Sequence, residues 1–140
     1  MSTVCGIELS GSEAHIVTLR GSKLNHTIVA PDMKKLVLSA TESQADIRSF
    51  RATFCSFLSE TKIDRAGIVK RTSKGSFAAG GLSFKLEALI QSCDITVVLA
   101  HPRTLEKTIL AKPPARSIDE LAPHKYLANA YKMAYHLLDD

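Results

Sequence analysis

Apolar residues follow two different periods along this chain, and the changes of period mark its elements. Val4-Cys5-Gly6-Ile7-Glu8-Leu9 is almost wholly apolar, as expected of a strand covered on both faces. Gly11-Ser12 turns it back into Ala14 to Leu19, so the chain opens with a hairpin. Gly21-Ser22 makes a second turn, and Lys23 to Val29 reads as a third, antiparallel strand at or near an edge. Pro31-Asp32 breaks it, and Lys34 to Leu38 is either a short strand or an extended connector. The period then changes. Thr41-Glu42-Ser43-Gln44 has the form of a capping box. The helix it predicts carries Ile47, Phe50, Phe54, Phe57 and Leu58 on one stripe and ends near Glu60-Thr61.

Ile63 to Arg71 predicts a strand with Ala66-Gly67-Ile68-Val69 buried, and Leu82, Leu86, Leu89 and Ile90 form a helical stripe. Ile95 to Ala100 is the clearest buried strand, and His101-Pro102-Arg103 ends it. Thr104 to Ala111 predicts a short helix and Lys112-Pro113-Pro114 a loop. Ser117-Ile118-Asp119-Glu120 is a second capping box. The last helix restarts at Pro123, with Leu127, Tyr131, Ala134, Tyr135 and Leu138 on one face. The order β-β-β-α-β-α-β-α-α predicts one α/β domain over residues 1–140. Its sheet is mixed and five-stranded, a three-stranded antiparallel meander followed by parallel strands, with helices on both faces.

Composition narrows the class only slightly. The chain is 45% hydrophobic and 23% charged, and no apolar run approaches the roughly 20 residues that span a bilayer. With no signal-peptide pattern at the N-terminus, the expected location is cytoplasmic, away from membranes. Cys5, Cys55 and Cys93 show no short spacing, which fits neither a zinc pattern nor a disulfide framework and predicts buried, inert thiols. A formal charge of +4 permits a nucleic-acid partner without demanding one. Lys62, Arg65, Lys70, Arg71 and Lys74 fall in one stretch opposed only by Asp64, which reads as a solvated basic face or a phosphate contact.

Candidate chemistry begins at Glu8. A carboxylate in a central strand is costly unless it is paired, hydrogen-bonded or bound to a cation. His101 and Arg103 sit at the carboxyl end of a central strand, where sites in such sheets lie. Arg103 suits a phosphate or carboxylate, and His101 suits a base or a single ligand, or simply a cap on the next helix. His15, His26, His124 and His136 have no metal-ligand spacing. Gly75 to Gly81 lacks the lysine-hydroxyl ending of a triphosphate loop, no serine lies in a nucleophile elbow, and Tyr126, Tyr131 and Tyr135 read as core and rim.

The element order and four segments resemble the RuvC-type resolvase branch of the ribonuclease H-like superfamily. The segments are Val4 to Ser12, Ala66-Gly67-Ile68-Val69-Lys70, Ile95 to Arg103, and Lys125-Tyr126-Leu127-Ala128-Asn129-Ala130-Tyr131. The whole chain also resembles a small bacterial family known only as a domain of unknown function, family 3010. The resolvase resemblance implies two-magnesium hydrolysis of a phosphodiester, which needs several converging carboxylates. Here only Glu8 matches. The second acid falls at Val69 or Lys70, and those of the last helix fall near Tyr126 and Asn129. By the same resemblance Lys70 stands near Glu8 and is its expected ion-pair partner in place of a metal. Asp139 and Asp140 come too late in the helix to substitute.

The expected function is therefore a non-catalytic nucleic-acid-binding or interaction module with a degenerate nuclease-like fold. Its partners would be structured DNA or RNA and a second copy of itself. Its binding candidates are Lys70, Arg71, Lys74, Arg103 and Asn129, and no metal or cofactor is expected. The alternatives are a homodimeric scaffold without nucleic acid, a nucleotide-binding protein, and a nuclease with magnesium at Glu8. In a remaining enzyme reading Glu8 is the base, and His101 and Arg103 assist.

Overall fold

The computed structural model describes residues 2–39, 43–70 and 77–140, with the helix but not the side chains of 77–80. Strands β1 (Ser2–Ser10) and β2 (Glu13–Gly21) pair antiparallel over their whole length, from Ser2 opposite Gly21 to Ser10 opposite Glu13. Gly11 closes their turn at φ +59°, a left-handed conformation that glycine adopts without cost. On the far side of β2 lie β3 (His26–Val29), against Thr18 to Gly21, and β4 (Lys35–Val37), against Glu13 to His15. On the far side of β1, β5 (Arg65–Val69) runs parallel to it, and β6 (Thr96–Ala100) runs parallel outside β5. This corrects the expected buried, central strand: β6 lies at the edge, with Thr96 and Leu99 exposed, because its apolar run is covered on its inner side only.

The expected meander and parallel strands are present, but among the described residues the sheet has six strands, not five. The segment left open between strand and connector is β4. Ala30 at φ +49° and Pro31 swing the chain round, and the Lys34 carbonyl accepts the Ile16 N–H at 2.9 Å, which starts the pairing.

Helices cover both faces. On one, α1 (Gln44–Glu60) and α2 (Phe77–Gln91) bury Phe50, Phe54, Phe57, Leu58, Leu86 and Ile90 against Cys5, Ile7, Ile16 and Ile68. On the other lie α3 (Pro102–Ala111), α4 (Ile118–Leu121), a single 3₁₀ turn at Lys125–Leu127, and α5 (Ala128–Leu137). There Tyr131, Met133, Ala134 and Tyr135 close over Val4, Val17, Leu19 and Val69. The twofold alternation along each strand sorts the two cores.

Three local expectations change. Ser43 caps α1, its hydroxyl accepting the Asp46 N–H at 3.3 Å, and Thr41 lies outside the described residues. Helix α3 begins two residues early, because His101 caps it and Pro102 fits a first helical turn that has no N–H to satisfy. Cys55 and Cys93 form a disulfide, with Cα atoms 5.5 Å apart, which corrects the reading of three inert thiols. Only packing of α1 against the end of α2 brings those two together. Cys5 keeps the expected role: it is fully buried, and burial pushes its thiol pKa up to about 12.

Helix α5 lies directly on β1 and β5. Gly6 and Gly67 are register partners on those strands. A Cβ on Gly6 would run into the Ala130 carbonyl and the Ala134 backbone, whereas one on Gly67 would meet the flexible ends of Met133 and Leu137. The two glycines form a trough that admits the helix backbone. Beyond α5 the chain is clasped at the amino end of the sheet. Arg65 donates to the Leu137 carbonyl and pairs with Asp139 at 3.3 Å, Lys23 donates to the Leu138 carbonyl, and the Ser2 hydroxyl donates to Asp139 at 2.8 Å. The Ser2 hydrogen bond, followed by that from Arg65, holds the Asp139 carboxyl below the usual range. His136 Nδ1 lies 2.6 Å from the Thr108 hydroxyl, and burial, reinforced by the charge of Lys23, holds its pKa below 6.5.

Two outcomes follow. Gly6→Ala meets rigid backbone and should cost about 3 kcal/mol, and Gly67→Ala, which meets yielding side chains, about 1 kcal/mol, both read by urea unfolding. His136 has a lowered folded pKa, so between 6.5 and that lower value the unfolded chain binds more protons. Stability is then complete above pH 6.5 and falls as pH drops below it. Thermal unfolding followed over this range should show the loss, and His136→Gln should flatten it.

Candidate functional site at the carboxyl ends of the parallel strands

Strands β1, β5 and β6 are parallel, so their carboxyl ends gather at one edge of the sheet, the usual place for a ligand site. Helix α5 runs the other way. Its later turns reach Arg65 and Ser2 at the amino end, and its first turn arrives beside Glu8. There the Asn129 side-chain amide donates to Glu8 Oε2 at 2.7 Å. Glu8 is half-buried and Asn129 exposed. The carboxylate therefore keeps part of its hydration and gains a neutral donor, which removes most of the expected cost of its position.

This corrects the expected ion pair with Lys70. Ile68 belongs to the core under α1 and α2 and Val69 to the core under α5. Alternation therefore turns Lys70 to the α1 side, while Glu8 shares its face with Gly6 under α5. Lys70 is exposed, and its backbone N–H continues the ladder to the Ala100 carbonyl at 2.7 Å. Arg71 and Lys74 lie outside the described residues. His101 takes the capping alternative, its Nδ1 accepting the Arg103 N–H at 3.1 Å. Arg103 stands exposed in the first turn of α3. Among the described residues no ion pair or hydrogen bond links Lys70, His101 or Arg103 to Glu8 or Asn129.

The structure adds neighbours that sequence reasoning missed. His15 lies opposite Glu8 in the β1–β2 register. Its Nε2 is 3.0 Å from Glu13 Oε1, and its ring meets Tyr126 edge-on with centroids 5.0 Å apart. Tyr126 in turn stacks on His124 at 5.5 Å. The hydrogen bond to His15, with the charge of Lys35 beside it, holds the Glu13 carboxyl below the usual range. The signal was available: once Gly11 fixes the hairpin register, alternation puts Glu13 and His15 on the face of Glu8. The other outlying acids sit far away. Asp64 accepts the Thr3 N–H at 2.8 Å at the amino end, and Asp139 pairs there with Arg65.

The donor set does not fit two magnesium ions. Hard divalent cations need several converging oxygens. Glu8 has Asn129 beside it, Val69 on the same face is apolar and buried, and Glu13 is turned to His15. Among the described residues no three His, Cys, Asp or Glu side chains are grouped to hold a metal ion. No helix among them is long and apolar enough to cross a membrane.

Comparison with known proteins agrees with this geometry. RuvC of Thermus thermophilus, in complex with Holliday junction substrate, superposes with a TM-score of 0.76 at 11% identity, over 97% of this chain and 92% of that one. The fowlpox virus resolvase in complex with Holliday junction DNA gives 0.51 at 11% identity, over 94% and 93%. The yeast mitochondrial Holliday junction resolvase gives 0.52 at 12% identity, over 94% of this chain and 62% of that one. No curated protein matches the chain. At these identities the likeness is one of fold: the chain is folded like these RuvC-type proteins. A family described as a protein of unknown function, DUF3010, matches residues 1–137, and the chain belongs to it.

Proposed function

We propose that this chain binds structured DNA through a resolvase-type scaffold and does not cut it. The observation that carries this reading is the carboxyl end of the parallel strands. A carboxylate held by Asn129 and an apolar Val69 stand where a magnesium-dependent nuclease needs converging acids. The scaffold itself supports a nucleic-acid partner, since two of its structural neighbours were solved with Holliday junction DNA. The net charge of +4 favours a polyanion. Lys70 is exposed at the end of β5 and opens the run that continues to Arg71 and Lys74. Glu8 then has a positioning role, holding the first turn of α5 through Asn129. A homodimer is part of the same reading, and the open edge of β6 supports it.

The test is electrophoretic mobility of four-way junction, duplex, single-stranded DNA and RNA probes, with and without magnesium. The junction should be retarded at low salt, and the retardation should fade steeply as salt rises. Lys70→Glu should weaken binding by about tenfold, and Glu8→Gln should leave it unchanged. No probe should be cleaved. Absence of any retardation at low salt sinks the binding reading. Magnesium-dependent scission that disappears in Glu8→Gln sinks the non-cutting one, and preference for the RNA probe reassigns the partner.

A further inference from the structure

The two edges of the sheet are built differently. One edge is short and broken: β3 has four residues and β4 three, Ala30 and Pro31 separate them, and β4 carries Lys35. Short strands, a proline and an edge lysine are the ordinary ways of discouraging pairing with another chain. The opposite edge, β6, has none of them. Thr96-Val97-Val98-Leu99-Ala100 contains no charge and no proline, and among the described residues nothing pairs with its outer side.

The backbone direction on β6 can be read from its inner partner. The Ala100 carbonyl accepts the Lys70 N–H, so Ala100 and its alternates Val98 and Thr96 face β5. Val97 and Leu99 therefore turn their N–H and C=O outward. The side chains at this edge are apolar and partly bare: Leu99 is 40% exposed, and Phe84 on α2, which covers the same face, is 58% exposed. Unpaired exposed charges stand at the two ends of the strand, Asp94 before it and Arg103 after it, and among the described residues neither has an ion-pair partner.

We propose that β6 pairs antiparallel with β6 of a second copy of this chain about a twofold axis at Val98. The backbone allows that register, and the charges at the two ends of the strand favour it. Each Val97 lies opposite the partner's Leu99, so the outward N–H and C=O groups are exchanged in pairs, and the two Val98 residues meet in the closer, non-hydrogen-bonded position. It also brings Asp94 to the end of the partner strand that leads into the partner's Arg103, an opposite-charge contact made twice by symmetry. A parallel pairing would set Asp94 beside the partner's Asp94 and leave both charges unmatched. The Leu99 and Phe84 flanks lie on the same face of the joined sheet in both copies. The pairing closes on itself, because it consumes the one unprotected edge among the described residues, and so stops at two chains. It goes beyond the proposed DNA contact and gives Arg103 a carboxylate as its partner.

The experiment is sedimentation velocity of the full chain across a concentration series, without nucleic acid, so its result is independent of the DNA reading. The unmodified chain should populate a dimer as concentration rises. Leu99→Lys, at an already exposed position, should abolish it. Asp94→Arg and Arg103→Asp should each weaken it about tenfold, and the double variant should recover most of that loss. In hydrogen exchange, the Val97 and Leu99 amides should slow as the dimer forms. A monomer at the highest soluble concentration overturns the proposal. A dimer indifferent to Leu99→Lys overturns the surface, and failure of the double variant to recover overturns the antiparallel register.

Discussion

The seat of α5 on two bare glycines governs the rest of this molecule. A helix normally stands off a sheet by the thickness of its side chains. Here Gly6 and Gly67 let α5 descend until its own backbone touches β1. That depth sets the height of Asn129 over Glu8 at one end, and of Leu137 and Asp139 over Arg65 at the other. Close packing makes such a fit intolerant of even one added carbon. The candidate site and the terminal clasp are thus two ends of one lever.

The position of Glu8 shows how an acid can sit in a central strand without a cation beside it. In a two-metal centre the acids repel one another, and the cations hold them together. Here the nearest side chain is a neutral amide, and partial exposure leaves water for the remaining lone pairs. No cation is needed for stability, neither a metal nor Lys70. Beside it His15 Nε2 lies 3.0 Å from Glu13 Oε1, so Glu13 is engaged with His15 and not with Glu8.

Much of the architecture was legible in the residue order. The Phe50, Phe54 and Phe57 stripe and the apolar run of β1 are decided by local period and appear close to where expected, whereas the apolar run before His101 forms its strand at the edge of the sheet and not in its buried centre. What was illegible depends on pieces that meet only in three dimensions. Lys35 to Val37 becomes a strand because β2 has bare edge left beyond β3. The cap of α1 falls at Ser43, not Thr41, because two hydroxyls lie within one turn and only the chain's approach chooses between them. Cys55 and Cys93 are 38 residues apart in sequence, and no local pattern announces their bridge. Glu8 and Asn129 are both candidates from the residue order, but their contact spans 121 residues of sequence and was hidden behind the more obvious cation.

That long span bears on how the protein comes into being on the ribosome. Strand β1 emerges long before α5, the helix that shields one of its faces. Until α5 is released, Val4, Val17 and Leu19 have no cover, although the α1 and α2 side can already condense. Contacts this distant close late and slowly. During synthesis the half-built sheet presents a sticky surface, the kind of intermediate that chaperones recognise.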